Sequence, residues 1–348
     1  MTIKNSGSSL SFSEIANEFG QPSGKNIGAY RVSEDHGSLS NLPLDSDLDG
    51  TNPIPQTGEI KFSDFYGRRL NVVVDCHSGS TETRGNAKSK YNSNQVSVVG
   101  GFRSHPSSAT GIKVIINVNK SFRSENNSNQ NVVALRTGEY GSDCLLRVDV
   151  GSEGYIGGAG GNGGKGGNSY DSGGADGTNG NSGLGIDHES SDGTTIINNS
   201  GTISAGFGGG GGGGGAHQFD EGGKGESDSE RTASGGGGGG GAGFPAGSGG
   251  LGGTSQKNGE NGSNGGLSSG GGGGSGGDND GEAKGGKGGS GGDNDGEADS
   301  GKNGSGDETG SGGSGGGDGA AIRKKSGIEI FVVNNGSIKG SQSATGVA

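Results

Sequence analysis

Gly157-Gly158-Ala159-Gly160-Gly161-Asn162-Gly163-Gly164-Lys165-Gly166-Gly167-Asn168 is one unit, Gly-Gly-X, repeated without a slip. The register extends back to Gly154. It returns at Gly301, Gly304, Gly310, Gly313, Gly316 and Gly319, with a break at Asp307. A flexible spacer has no reason to keep a period of three. A left-handed polyproline-type helix has three residues per turn, so this period puts every X on one edge and bare backbone on the other two. Collagen shares the period but needs proline in its other positions, and Pro245 is the only proline after residue 150. The register therefore predicts a bundle of polyglycine II helices.

Working outward, residues 151–319 hold 72 of the 91 glycines, including the unbroken runs Gly208–Gly215 and Gly235–Gly241. Such helices make no internal backbone hydrogen bonds, so buried amides must bond to neighbouring helices. The absence of Cβ atoms permits that approach, with Cα–H···O contacts as a smaller term. Opposing this is the high ordering entropy of glycine, which favours disorder for a lone run.

Unlike, polar segments interrupt the runs at 168–192, 216–234, 256–264, 278–284 and 293–300. With antiparallel helices they become turns at the two ends, where binding residues concentrate on a rigid scaffold. Phe219 and Phe244 are the only aromatics between Gly208 and Ile330. The candidate ligand-contacting residues are Tyr170, His188, His217, Gln218, Phe219, Asp220, Arg231, Phe244 and Pro245. The bland alternative packs Phe219 against Phe244 as a small core. Ser275–Ala283 recurs at Ser290–Ala298, and each copy carries Asp-Asn-Asp-Gly. Asp278, Asp280, Asp293 and Asp295 are weak cation candidates there, against solvated turns, because no closing Glu of a calcium loop follows.

Residues 71–150 predict a β-sandwich-like domain with strands at 70–75, 95–99, 113–118, 132–137 and 145–150. Each offers an i, i+2 apolar pair, as in Val72 and Val74 or Val114 and Ile116. Three motifs read as β-hairpins framing the glycine region: 145–157, 194–203 and 328–340. The last two carry Asn198-Asn199-Ser200-Gly201 and Asn334-Asn335-Gly336-Ser337 as turns. Cys76 and Cys144 lie beside apolar runs and read as buried free thiols. His77 and His105 read as polar loop residues.

At the start, Leu10-Ser11-Phe12-Ser13-Glu14-Ile15 recurs as Ile60-Lys61-Phe62-Ser63-Asp64-Phe65. Each copy predicts a short strand entering one or two helical turns, with Ser13 or Ser63 as N-cap, and the first helix spans 13–19 and stops at Gly20. Between the copies Asp45, Asp47, Asp49 and Gly50 match the opening of a calcium loop. Its closing position falls on Gln56, which favours an acidic turn. The fold expected is thus mostly β with a polyglycine II bundle. It comprises a small α+β module (1–70), the sandwich-like domain (71–150), the glycine lattice (151–327) and a closing hairpin and tail (328–348).

The duplicated motif, with Gly28-Ala29-Tyr30-Arg31 between its copies, resembles the N-terminal part of tail and tail-fibre structural proteins of marine and cyanobacterial phages. The hairpin motifs leading into Gly-Gly-X runs with variable turns resemble the receptor-recognising adhesins at the tips of T-even-type phage tail fibres. These resemblances imply a virion tail protein made in the host cytoplasm. They imply that residues 1–70 dock to other tail or baseplate proteins, and that loops on a polyglycine lattice contact a host surface protein or polysaccharide. A purely structural tail or decoration protein is the first alternative. An ice-binding protein is the second, although it needs Thr or Ala in rank on one face and the X positions here are Ala, Asn and Lys.

The net charge of −12 is concentrated after residue 150, where 23 acidic residues face 11 basic ones. That distribution argues against nucleic acid, whose phosphates need clustered Lys and Arg. No run approaches a bilayer-spanning length, and the start has no apolar signal region, so no membrane insertion is expected. Neither a Walker loop nor a Cys/His cluster is present, and the Gly-x-Ser-x-Gly match at 266–270 follows no predicted strand. The expectation is a non-enzyme without a cofactor.

Overall fold

A computed structural model describes residues 3, 7–22, 24, 26–30, 58–77, 79–99, 102–141, 143–220 and 229–347. The candidate carboxylates Asp45, Asp47 and Asp49 lie outside these residues. The described chain is mostly β, with a small helical module at its start.

Five successive stretches of chain each lay one strand on each of three parallel sheets. The first contributes β1 (Asn71–Cys76), β2 (Glu82–Thr83) and β3 (Gly85–Asn86), followed by α2 (Ala87–Asn92; α1 is given below) and β4 (Val96–Val99), which pairs antiparallel with β1. The second contributes β5 (Lys113–Val118), β6 (Ser121–Arg123) and β7 (Val133–Arg136). Next come β8 (Leu145–Val150), β9 (Tyr155–Gly157) and β10 (Ser182–Ile186). The fourth begins with β11 (Thr194–Asn199) and β12 (Thr202–Ser204). The chain then leaves the sheets over 205–321, carrying β13 (Ala216–Asp220), β14 (Ser229–Ala233), β15 (Asp278–Asn279), β16 (Ala283–Lys284) and β17 (Glu308–Thr309). It returns as β18 (Ile322–Lys324), and β19 (Glu329–Asn334), β20 (Ser337–Lys339) and β21 (Ala344–Thr345) make the fifth stretch.

The result is a three-sided parallel β-solenoid. Its core is a set of stacked apolar positions: Val74, Ile116, Val148, Ile197 and Val332 form one ladder through the long sheet. The predicted strand positions hold, but a sandwich does not form. The i, i+2 apolar pairs fix which face is buried, not the direction of the neighbouring strand. Here each long strand pairs parallel with its equivalent one coil away. The three framing motifs are likewise not hairpins. Their two strands belong to different sheets, and the turn between them, which carries the Asn pair in the last two motifs, is a corner of the solenoid. At that corner Asn199 Nδ2 donates to Asn334 Oδ1 at 2.8 Å and to Ser337 O at 3.2 Å, in the next coil. The side-chain amide thus links coils, which explains why the motif recurs.

Helix α1 (Phe12–Phe19) lies before the first coil. Its N-cap is Ser11, not Ser13: Ser11 Oγ accepts from Glu14 N, and the Glu14 carboxylate accepts from Ser11 N at 2.8 Å, a reciprocal capping box. Gly20, at φ 82°, ends the helix. The second copy makes only a 3₁₀ turn, Phe62–Phe65, held by Lys61 N to Asp64 Oδ2 at 2.7 Å. Phe19, Tyr30 and Phe65 pack together. The buried Glu18 carboxylate accepts from Leu70 N at 3.0 Å and so ties the module to the solenoid.

Both excursions, 158–181 and 205–321, leave at the corner between the second and third sheets. Their backbone amides bond across to other glycine segments in steps of three. Gly161, Gly164 and Gly167 donate to Phe207, Gly210 and Gly213, each at 2.8 Å, so these two segments run parallel. Gly235, Gly238 and Gly241 donate to Gly167, Gly164 and Gly161, so that pair runs antiparallel. The unbroken runs are the interior ones. Segment 206–215 donates to Thr178, Gly239 and Asp299 and accepts from Gly164, Gly286 and Gly313, on six different segments. Segment 235–242 is similarly bonded to six, through Gly167, Gly286, Glu260, Gly213, Gly250 and Gly274. Segments at the rim have X on their free edge, and Lys165 there is exposed.

The rim also explains the choice of X. An outward backbone amide has no segment to bond to, and side-chain oxygens take that place. Asn261 Oδ1 accepts from Gly252 N at 2.8 Å, Asn264 Oδ1 from Gly249 N at 2.9 Å, and Asp176 Oδ1 from Ser314 N at 2.7 Å.

Candidate functional site

Because successive segments alternate in direction, the turns at 168–172, 254–258, 278–284 and 305–309 and the strands at 216–220 and 229–233 gather at the end away from the solenoid. They are bonded together there. Strand β13 pairs antiparallel with β14 along its full length and with β17 at Ala216 and His217. Ala233 bridges to Lys257, and Lys284 bridges to Ser305.

His217 is at the centre and fully buried. The Tyr170 ring lies over it at 4.4 Å between centroids, tilted by 38°. Phe219 meets it edge-on at 4.1 Å and 81°. Carboxylates face both ring nitrogens: Glu230 at 3.3 Å from Nε2 and Glu308 at 3.5 Å from Nδ1. Tyr170 and Phe219 are 40% and 56% exposed, so the stack opens to solvent on both sides. Tyr170 has φ 60°, a left-handed backbone that is costly for an aromatic residue and needs surrounding support, which here includes its packing on His217.

Gln218, next to His217, donates from Nε2 to Asp307 Oδ2 at 2.8 Å, and the same oxygen accepts from Phe219 N at 3.1 Å. Arg231 is opposite Gln218 in the strand pair and forms an ion pair with Glu282. Asp220 ends β13, opposite Ser229. Asp278 turns its own loop, accepting from Gly281 N at 2.8 Å, and lies 3.6 Å from Lys284. Among the described residues no group of three His, Cys, Asp or Glu side chains has the geometry to hold a metal ion.

The other candidates lie elsewhere. Phe244 and Pro245 are in a turn at the solenoid end, where the Phe244 ring meets Tyr155 of β9 at 5.3 Å. Phe219 and Phe244 are therefore at opposite ends and make no common core. His188 is within the solenoid: Nδ1 accepts from Tyr140 N at 3.2 Å and Nε2 is 3.3 Å from Cys144 O. Burial lowers its pKa below the ordinary histidine value. Asp293 and Asp295 close a turn at the same end as Phe244, with Asp293 Oδ1 accepting from Asp295 N at 2.9 Å.

Sequence reasoning missed Glu230, on the same turn as His217, and Glu282, Asp307 and Glu308, which complete the tip from two further turns. One signal for Asp307 was present, since it is the residue that breaks the period of three in the last glycine stretch.

At the solenoid end a cavity of about 440 Å³ lies between Phe207, Glu297, Asp318 and the backbone of Gly315–Gly317. Asp318 Oδ1 accepts from Gly208 N at 2.8 Å. Burial first, then Glu297 and Asp293, raise its carboxyl pKa, with the Gly208 bond opposing. A raised folded-state pKa means a contribution to stability that is present at acid pH and lost as pH rises through that value. Asp318→Asn keeps the acceptor and removes the charge. Its thermal midpoint is expected to exceed the parent's at neutral pH, with the gap closing on acidification. An equal gap at both pH values would contradict the assignment.

No described helix is long and apolar enough to cross a membrane. No curated protein and no solved structure matches the chain. A family model described as phage tail fibre adhesin Gp38 matches residues 80–343, from the first coil to the fifth and across both glycine excursions. With well over half of its length matched, the chain belongs to the phage tail fibre adhesin Gp38 family.

Proposed function

We propose that the glycine region is a polyglycine II lattice and that its far tip is the receptor-contacting surface of this adhesin. The observation that carries the reading is the exposed Tyr170–His217–Phe219 stack, assembled from two turns and flanked by the Glu230 carboxylate of one of them and the Glu308 carboxylate of a third. Exposed aromatic rings supply large contact area at low entropic cost, and neighbouring polar groups supply specificity. Gln218, Asp220 and Arg231 complete the contact set. The lattice reading is supported by the three-residue step of its hydrogen bonds and by the pure-glycine runs 208–215 and 235–241 in its interior. At roughly 3.1 Å per residue such segments span about 30 Å and hold the tip away from the solenoid.

In this reading residues 1–70, which precede the residues that the family model matches, dock to other tail or baseplate proteins, as the resemblance of their duplicated motif implies. The solenoid coils, which include 182–204 and 322–324 as well as 71–157 and 328–345, are the base that carries the glycine excursions 158–181 and 205–321. The receptor is a host surface protein or polysaccharide. The protein acts on the virion tail by binding, without a catalytic step.

The test is adsorption of phage carrying Tyr170→Ala with Phe219→Ala. Loss of adsorption by at least about tenfold is expected, since truncating two aromatic anchors typically costs more than 1 kcal/mol each. Unchanged adsorption, with the variant incorporated normally into virions, would leave a purely structural tail protein.

A further inference from the structure

Asn-Gly pairs occur at Asn162, Asn179, Asn258, Asn261, Asn264, Asn303 and Asn335. This dipeptide is open to a spontaneous reaction, because glycine has no side chain to hinder its amide nitrogen. That nitrogen attacks Cγ of the preceding asparagine, losing its proton as ammonia departs, and a succinimide ring forms. Water then opens the ring at one carbonyl or the other. The products are aspartate and isoaspartate, the latter with one additional methylene in the main chain.

In the glycine region both reacting groups are held by neighbours. Asn162, Asn179, Asn258, Asn261, Asn264 and Asn303 each accept at Oδ1 from the backbone amide of another residue, at 2.7–3.0 Å. The glycine amides that would attack also donate elsewhere, as Gly163 N does to Ser248 O at 2.8 Å and Gly262 N to Gly250 O at 2.9 Å. Attack therefore needs two hydrogen bonds to open and the side chain to swing back onto its own chain.

Asn335-Gly336, in the corner between β19 and β20, differs. Both residues are exposed. The Asn335 side chain has no hydrogen bond to a described residue, and Gly336 N donates only to Asn334 Oδ1, at 3.3 Å. We propose that Asn335 is a site of spontaneous deamidation and isoaspartate formation in the folded protein, whereas the glycine region shields its own six pairs. The shielding matters for the fold. An added main-chain methylene inside a glycine segment would move every later residue of that segment off the three-residue step. In the corner it falls between two strands.

The experiment is incubation of the full chain in mildly alkaline buffer, with peptide mapping by mass spectrometry for amide-to-acid conversion and isoaspartate. In the folded chain Asn335 is expected to convert at least about tenfold faster than any of the six, given the two hydrogen bonds each of those must lose. In the denatured chain the seven rates should converge. Asn335→Gln should remove the early isoaspartate signal and leave the rest. Conversion of the six at the rate of Asn335 in the folded chain, or of Asn335 as slowly as the six, overturns the proposal.

Discussion

Gly211→Ala is expected to unfold the glycine region, while Gly272→Ala leaves it intact. The two substitutions are the same chemistry at positions with opposite surroundings. A Cβ on Gly211 would fall on the carbonyl oxygen of Gly313, far inside van der Waals contact, and the next nearest atoms are also backbone. No flexible side chain is there to yield. The segment is bonded to six others, so it cannot shift without opening several hydrogen bonds. At Gly272, which is exposed, the nearest atom is Ser263 Oγ at 3.7 Å, an ordinary contact. Alanine also restricts the unfolded chain, which stabilises by about 0.4–1 kcal/mol where the backbone geometry suits it. For Gly272 that term should dominate, giving an unchanged or slightly raised thermal midpoint. For Gly211 overpacking should win by at least about 3 kcal/mol, above the usual range for one added methyl because the obstacle is backbone. Equal midpoints for the two variants would defeat this account of why the interior runs are pure glycine. Hydrogen exchange of the 206–215 amides reports the same contrast locally.

His217→Ala is expected to abolish adsorption nearly as fully as removing both exposed aromatics, without lowering the main unfolding transition. The imidazole is buried and touches no solvent, so its role is to position. It fills the space between Tyr170 and Phe219 and lies between the carboxylates of Glu230 and Glu308. Truncation leaves a void about the size of the ring, and large-to-small changes at buried sites cost about 2–5 kcal/mol. That loss is local to a tip of short strands, whose stability need not equal the global value. Tyr170 would lose the ring that supports its left-handed backbone. The measurements are adsorption rate, proteolysis within 216–233 and the thermal midpoint. His217→Phe, which restores a ring without the nitrogens, should recover part of the adsorption if stacking dominates. Normal adsorption by His217→Ala would remove the positioning role.

Much of the chain was legible without coordinates because its signals are local. The Gly-Gly-X register at 157–168 marked where close backbone approach occurs. Strand positions such as Lys113–Val118 and Leu145–Val150 followed from β-branched runs with a period of two. Gly20 ended α1 as expected, while the N-cap moved to Ser11 because the capping box needs Glu14 three residues on. The recurring Asn-Asn motifs predict hairpins and are corners instead. A tight turn and a solenoid corner use the same residues, and only the hydrogen bond of Asn199 to the next coil distinguishes them.

The candidate site shows the same limit. Of the candidate residues, the structure brings His217, Phe219 and Tyr170 together and puts Phe244 at the other end. His188, another candidate, belongs to the solenoid interior. By itself, the sequence determined that this chain is built on bare backbone approaching bare backbone, because a glycine register is a property of consecutive residues. Only the tertiary structure decided which runs are interior, which turns share an end, and that β8, β11 and β19 stack as coils of one solenoid. Those are relations between residues far apart in the chain, and an apolar or glycine pattern specifies a buried face without naming the partner that covers it.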